Sequence, residues 1–232
     1  MVSRDAQCTS HSQRLITIVF FGDSITEGQY VAPPMRWVDI VSEGLSSRYL
    51  DHPLPLQVLA RGVSGETTRQ GLERFPRDVQ AHTPDVVTLQ FGLNDCNCWQ
   101  TDRGLTRVSE AAYRANLVEM VTRARHFGAA EVILCNNHTT LRHQKLPDGL
   151  TLEQRRRRYN ELVAKVADET GATFCDIDAA FAGLDRDALA RQLLPCPDWL
   201  HLSEAGHRTY ASVVGPVVER AVERIFEARG VR

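Results

Sequence analysis

The chain of 232 residues has no apolar run approaching the ~20 residues that a membrane-spanning helix needs. It has no excess of charge either. Lys and Arg number 27 against 29 Asp and Glu, a formal net charge of −2. That balance gives neither nucleic acid nor an anionic membrane surface an electrostatic hold. Residues 1–13 form a polar tail without the apolar middle of a signal peptide. The expectation is therefore a cytoplasmic protein, although a mature chain stripped of its leader would read the same. No linker, internal repeat or low-complexity tract interrupts residues 14–232. One domain with its own core is expected there. None of the six cysteines forms a C-x-x-C pair, and Cys96-Asn97-Cys98 is only a C-x-C. Cys135 and Cys175 lie in apolar, strand-like runs, so scattered reduced thiols are expected rather than a disulfide framework. Nothing in the sequence marks an oligomeric state.

What is present is an alternation of two patterns. Leu15–Phe21 is apolar and β-branched throughout, as a strand buried on both faces would be. Leu56–Ala60, Asp85–Phe91, Glu131–Cys135 and Ala172–Ile177 read as four more strands. Between them, Met35–Leu50, Thr67 to about Gln80, Glu110–Phe127 and a segment ending near Gly171 have helical spacing. Ser109, Thr151 with Gln154, and Ser203 are placed to cap helices. Pro76 interrupts the second helix, and Gly215-Pro216 should kink the last one, which runs to about Ala228. Phe181–Trp199 reads as a short helix and then loop. Arg155–Arg158 reads as a solvated helix face. Each crossover is long enough for a parallel connection. The fold class expected is α/β, three layers with a five-stranded parallel sheet inside.

Four segments after strands carry unusual residues: Gly22-Asp23-Ser24, Gly62-Val63-Ser64-Gly65, Gly92-Leu93-Asn94-Asp95 and the late Asp198-Trp199-Leu200-His201. In a parallel sheet the first three leave by one edge, where open α/β sheets place their chemistry. Ser24 alone has two readings, a nucleophile or a helix cap. The other segments supply what a nucleophile would need. His201 could take its proton, and Asp198 could hold the imidazole. Asn94 could donate to an oxyanion, and Gly62 lets its backbone N–H approach a substrate.

Taken in order, these segments resemble the conserved blocks of the GDSL, or SGNH, hydrolase family. Phe21-Gly22-Asp23-Ser24 is similar to the first block, Gly62 to the second, Gly92-x-Asn94-Asp95 to the third and Asp198-x-x-His201 to the fifth. The resemblance implies a flavodoxin-like sheet in the order 2-1-3-4-5. It also implies a triad of Ser24, His201 and Asp198, with an oxyanion hole of the Ser24 and Gly62 amides and the Asn94 side chain. Ala60 departs from the family, where many members have Asn. The G-x-S-x-G elbow of the α/β-hydrolases is absent, because residue 26 is Thr.

The expected activity is hydrolysis of a small-molecule carboxylic ester through a Ser24 acyl-enzyme, without a cofactor. The polar segments Cys96–Val108 and Asn136–Leu150 should rim the pocket, which favours a small acyl group, such as O-acetyl, on a polar carrier. Asp23, Asp95, His138 and Arg142 are candidate rim residues, and Arg142 could clamp an anionic substrate. A lysophospholipase, thioesterase or acyltransferase would use the same triad. A non-catalytic binding module would be expected to have lost one of these residues, and none is missing. Cys96, Cys98, His138 and His143 could converge near loop ends, but their spacing fits no zinc pattern. No metal is expected.

Overall fold

The computed structural model describes residues 15–195 and 197–231. The polar tail 1–13, Cys8 and Cys196 lie outside the described residues.

The apolar run near the N-terminus becomes β1 (Ile16–Gly22), and every residue in it is buried. It can be so because β1 is central, with β2 (Leu56–Gly62) on one side and β3 (Val86–Gln90) on the other. β4 (Glu131–Cys135) and β5 (Thr173–Cys175) complete a parallel five-stranded sheet in the order β2-β1-β3-β4-β5. Alternate side chains of β1 serve opposite faces. Phe20 meets Trp37 at 5.0 Å between ring centroids, whereas Phe21 meets Phe75 at 5.3 Å and Phe91 at 5.4 Å. This is the three-layer α/β arrangement, with helices flanking the sheet.

Those helices are α1 (Ser24–Glu27), α2 (Trp37–Arg48), α3 (Thr68–Asp78), α4 (Glu110–His126), α5 (Leu152–Thr170), α6 (Ile177–Ala182), α7 (Arg186–Gln192) and α8 (Glu204–Ala228). α2 packs on α8, and α4 packs against α3 and α5. The caps are where the sequence places them. Ser109 accepts from Ala112, Ser203 accepts from Gly206, and Thr151 with Gln154 forms a capping box on α5. Among the described residues no helix is long and apolar enough to cross a membrane.

Three expectations shift. The fifth strand is shorter than 172–177, because the Asp176 side chain accepts from the Ala179 N–H and starts α6 at Ile177. α3 runs on through Pro76 instead of being interrupted there, while α8 reaches Ala228 as the sequence places it. The run Arg155–Arg158 is only half solvated. Arg155 and Arg156 have side chains 3% and 1% exposed, while those of Arg157 and Arg158 are open to solvent. Arg156 donates to the Asn137 carbonyl at 2.6 Å and pairs with Glu153 and Asp178. Arg155 pairs with Asp148 and donates to the Cys96 and Gly104 carbonyls. Both guanidiniums are buried because they satisfy loop carbonyls that have no ladder partner.

Candidate active site

The C-terminal edge of the sheet assembles the site. At the end of β1 the Asp23 side chain caps α1 by accepting from the Ile25 N–H at 3.0 Å. Capping is thus done by Asp23, and the Ser24 hydroxyl is left for another partner. Its Oγ lies 2.9 Å from Nε2 of His201. Ser24 is also the first residue of α1, where a backbone N–H has no partner within the helix.

His201 is held by a tight local turn. Oδ1 of Asp198 accepts from the N–H of Leu200 at 2.8 Å and of His201 at 2.5 Å, while Oδ2 lies 2.8 Å from Nδ1 of His201. These partners set the tautomer: Nδ1 carries the proton and Nε2 faces Ser24. Burial pushes the Asp198 carboxyl up, but the hydrogen bonds from the His201 ring and the two N–H groups outweigh it and hold the acid below its ordinary range. Behind this turn, Nε2–H of His138 donates to the Leu200 carbonyl at 2.8 Å. In front, the exposed Tyr30 ring stands edge-on to the His201 ring at 5.3 Å.

A cavity of about 250 Å³ opens on this pair. Ser24, Gly65, Asn94 and His201 line it, joined by polar Gln29 and Asn97. A larger groove of about 510 Å³ shares Asn97 and Arg142 with it and contains Trp199 and His143.

The glycine of the second loop needs correction. Gly62 pairs with Gly22 in the sheet, and a Cβ there would come within 2.1 Å of the Glu27 backbone nitrogen. Gly62 is small so that β2 can lie against α1, and it does not line the cavity. Gly65 does, with φ +77 and open space at its Cβ position. Among the described residues neither the Ser24 nor the Gly65 N–H donates to another group. The Asn94 amide completes the set, with Nδ2 3.5 Å from the Asp23 carboxylate.

Three rim candidates are also corrected. Asp23, Asp95 and His138 are fully buried. Asp95 accepts from both the N–H and the hydroxyl of Thr68, tying the third loop to the start of α3. His138 is kept neutral, since burial pushes it down to about 4. Arg142 does reach the cavity, but its Nε donates to the Asp198 carbonyl at 2.6 Å and its Nη2 stands 3.7 Å from the Asp198 carboxylate. Part of its charge is therefore directed at the acid rather than at a substrate. Among the described residues no three His, Cys, Asp or Glu side chains gather as a metal would require.

Sequence reasoning also missed Arg74. Its guanidinium lies over the Phe21 ring at 4.1 Å and donates to the carbonyls of Gly22 and Arg61, binding the ends of β1 and β2 beneath the site. Its only signal was an arginine on the apolar side of an amphipathic helix.

Burial raises Asp23 to about 7, with Asp95 adding repulsion and the Ile25 N–H opposing. Burial likewise raises Asp95 to about 6 against its Thr68 bonds. The folded state therefore holds protons that the unfolded chain, titrating near 3.8, has released. Stability from these groups is full in acid and is lost as pH rises through about 6 to 7. Asp23→Asn keeps a capping acceptor and removes one titration. Its Tm relative to the native chain is expected to be higher at about pH 8 than at about pH 5. A difference that stays flat in thermal melts would show that Asp23 ionises freely.

The chain matches the model of the GDSL-like Lipase/Acylhydrolase family over residues 20–209. It is 29% identical over 210 residues to an acetylxylan esterase of Geobacillus stearothermophilus, a match covering 84% of this chain and 90% of that one. An arylesterase of Vibrio mimicus is 28% identical over 123 residues, 53% of this chain and 56% of the relative. Among solved structures, the lipase/acylhydrolase of Enterococcus faecalis has a TM-score of 0.70 at 25% identity, over 88% of this chain and 95% of that one.

Proposed function

Because the chain belongs to the GDSL-like lipase/acylhydrolase family and is a carboxylic ester hydrolase, we propose that it works through an acyl-enzyme on Ser24. The observation that carries this reading is the unbroken run of hydrogen bonds from Asp198 through His201 to Ser24. Ser24 Oγ attacks the ester carbonyl while Nε2 of His201 takes its proton. Asp198 stays ionised and stabilises the imidazolium. The oxyanion of the tetrahedral intermediate accepts from the N–H groups of Ser24 and Gly65 and from Nδ2 of Asn94. His201 then protonates the leaving alcohol as its C–O bond breaks. Water, deprotonated by the same imidazole, releases the acid and restores Ser24.

The substrate proposed is a small acyl ester of a polar alcohol. A cavity of about 250 Å³ with Gln29, Asn94 and Asn97 around it suits an acetyl group better than a long chain. The adjoining groove, with Trp199, His143 and Gln144, offers the alcohol portion aromatic and polar neighbours. The match to an acetylxylan esterase across most of both chains points the same way. The test is a series of p-nitrophenyl esters graded by acyl length, run beside an acetylated sugar panel and an acyl thioester. We expect kcat/KM to be highest for acetyl and to fall as the chain lengthens. A rise with chain length, or a preference for the thioester, would favour the lysophospholipase or thioesterase reading.

Asn94→Ala is expected to lower kcat by about 10²–10³-fold, the loss of one oxyanion donor. KM should change much less, since the bond strengthens in the transition state. Steady-state kinetics decide it, because a loss confined to KM would make Asn94 a substrate-binding residue.

A further inference from the structure

We propose that Arg107 is a positioning residue that fastens Gly65 and Asn94 into one geometry, so that two oxyanion donors from separate loops converge on the same point. The inference rests on the oxyanion reading above and names the part that holds that hole together.

A single nitrogen makes both contacts. Nη1 of Arg107 donates to the Gly65 carbonyl at 3.0 Å and to Oδ1 of Asn94 at 3.3 Å. The second contact settles the amide: with Oδ1 occupied by a donor, Nδ2 must turn the other way, toward Asp23 and the cavity. An amide nitrogen has two hydrogens, so one can face Asp23 while the other serves the oxyanion. The first contact matters because Gly65 sits in a turn after β2 without a side chain to anchor it. Its neighbours have their own ties, Val63 through its N–H to the Gly22 carbonyl at 3.1 Å, Ser64 through its hydroxyl to Gln29 and Glu66 through its carboxylate to Arg74, but among the described residues the Gly65 backbone itself is held by Arg107.

Arg107 is itself well placed to act as a fixed point. Its N–H bonds the Asn97 carbonyl at 2.8 Å, and the next residue, Val108, bonds the Asp95 carbonyl at 3.1 Å. The loop from Cys96 to Val108 is thus closed at its base beside Asn94. Tyr159 donates to the Val108 carbonyl, and Arg155 donates to Cys96 and Gly104, holding that base from α5. The guanidinium lies over the Trp99 ring, 4.4 Å from its centroid. A planar cation stacked on an aromatic ring keeps its fork in one plane. Arg107 lines a separate pocket, with Trp99 and Gln70, rather than the cavity on Ser24. It acts through Gly65 and Asn94.

The test is a kinetic cycle on p-nitrophenyl acetate with Arg107→Ala, Asn94→Ala and the double variant. Arg107→Ala is expected to lower kcat by ~10²-fold, as displaced catalytic groups do, with KM held within about twofold. Arg107→Lys, a point charge without the fork, should fall between it and the native enzyme. In the Asn94→Ala background the Arg107→Ala penalty should shrink to about tenfold or less, because one of its two clients is gone. Arg107→Gln carries the same readouts if the alanine variant does not fold. Equal penalties in both backgrounds, an unchanged kcat, or an effect on KM alone would overturn the proposal while leaving the oxyanion hole standing. Native kcat in Asn94→Ala would overturn both.

Discussion

Ser24→Ala lowers kcat by about 10⁶-fold and leaves the Tm essentially unchanged. That is the expected result, and the size follows from losing the atom proposed to form the acyl bond. Among the described residues the hydroxyl makes its hydrogen bond to His201 alone, so its removal costs the fold little. The cap of α1 belongs to Asp23 and survives. Members of a triad act as a unit, so Ser24→Ala with His201→Ala should be no slower than Ser24→Ala by itself. A residual rate that drops again in the double variant would mean that His201 serves some other nucleophile.

Asp198→Asn is expected to cost about 10⁴-fold in kcat with the backbone turn preserved. An amide oxygen at Oδ1 can still accept from the Leu200 and His201 N–H groups. The amide nitrogen then faces Nδ1 of His201, where the carboxylate oxygen stood at 2.8 Å. A donor in that place favours the opposite tautomer and puts the ring proton on Nε2, against Ser24. Arg142 would lose its carboxylate neighbour at the same time. Activity within about tenfold of native would show that Asp198 only shapes the turn, and that the acid partner of His201 lies elsewhere.

How much of this was legible in the sequence differs from residue to residue. β1 was legible because a parallel strand buried on both faces has no alternation to obscure it. The Asp198–His201 pair was legible through the resemblance of Asp198-x-x-His201 to the family's fifth block, whereas the use of one carboxylate for both backbone and ring shows only in the folded chain. Gly62 and Gly65 were not distinguishable in the same loop. The choice depends on whether α1 crosses β2 at residue 62, and only the folded chain shows it. Asp23, Asp95 and His138 read as rim residues because polar side chains at strand ends are usually solvated. Here Asp23 is turned inward to cap α1 at Ile25, and Asp95 and His138 are turned inward by partners distant in sequence, Thr68 and Leu200. Arg155 and Arg156 misled for the same reason, since nothing local announces that loop carbonyls wait beside α5. Tyr30 left no pattern at all. It reaches His201 across 171 positions, through a contact made by a residue outside any helix or strand.

The central claim is that Ser24 carries the acyl group, and trapping it is the most direct measurement. The protein is incubated with a fluorophosphonate, digested, and its modified peptide sequenced by mass spectrometry. The account predicts one adduct, on the peptide containing Gly22-Asp23-Ser24, formed in the native chain and absent from Ser24→Ala. An adduct on another residue, or a fully active enzyme that takes up no label, would contradict it.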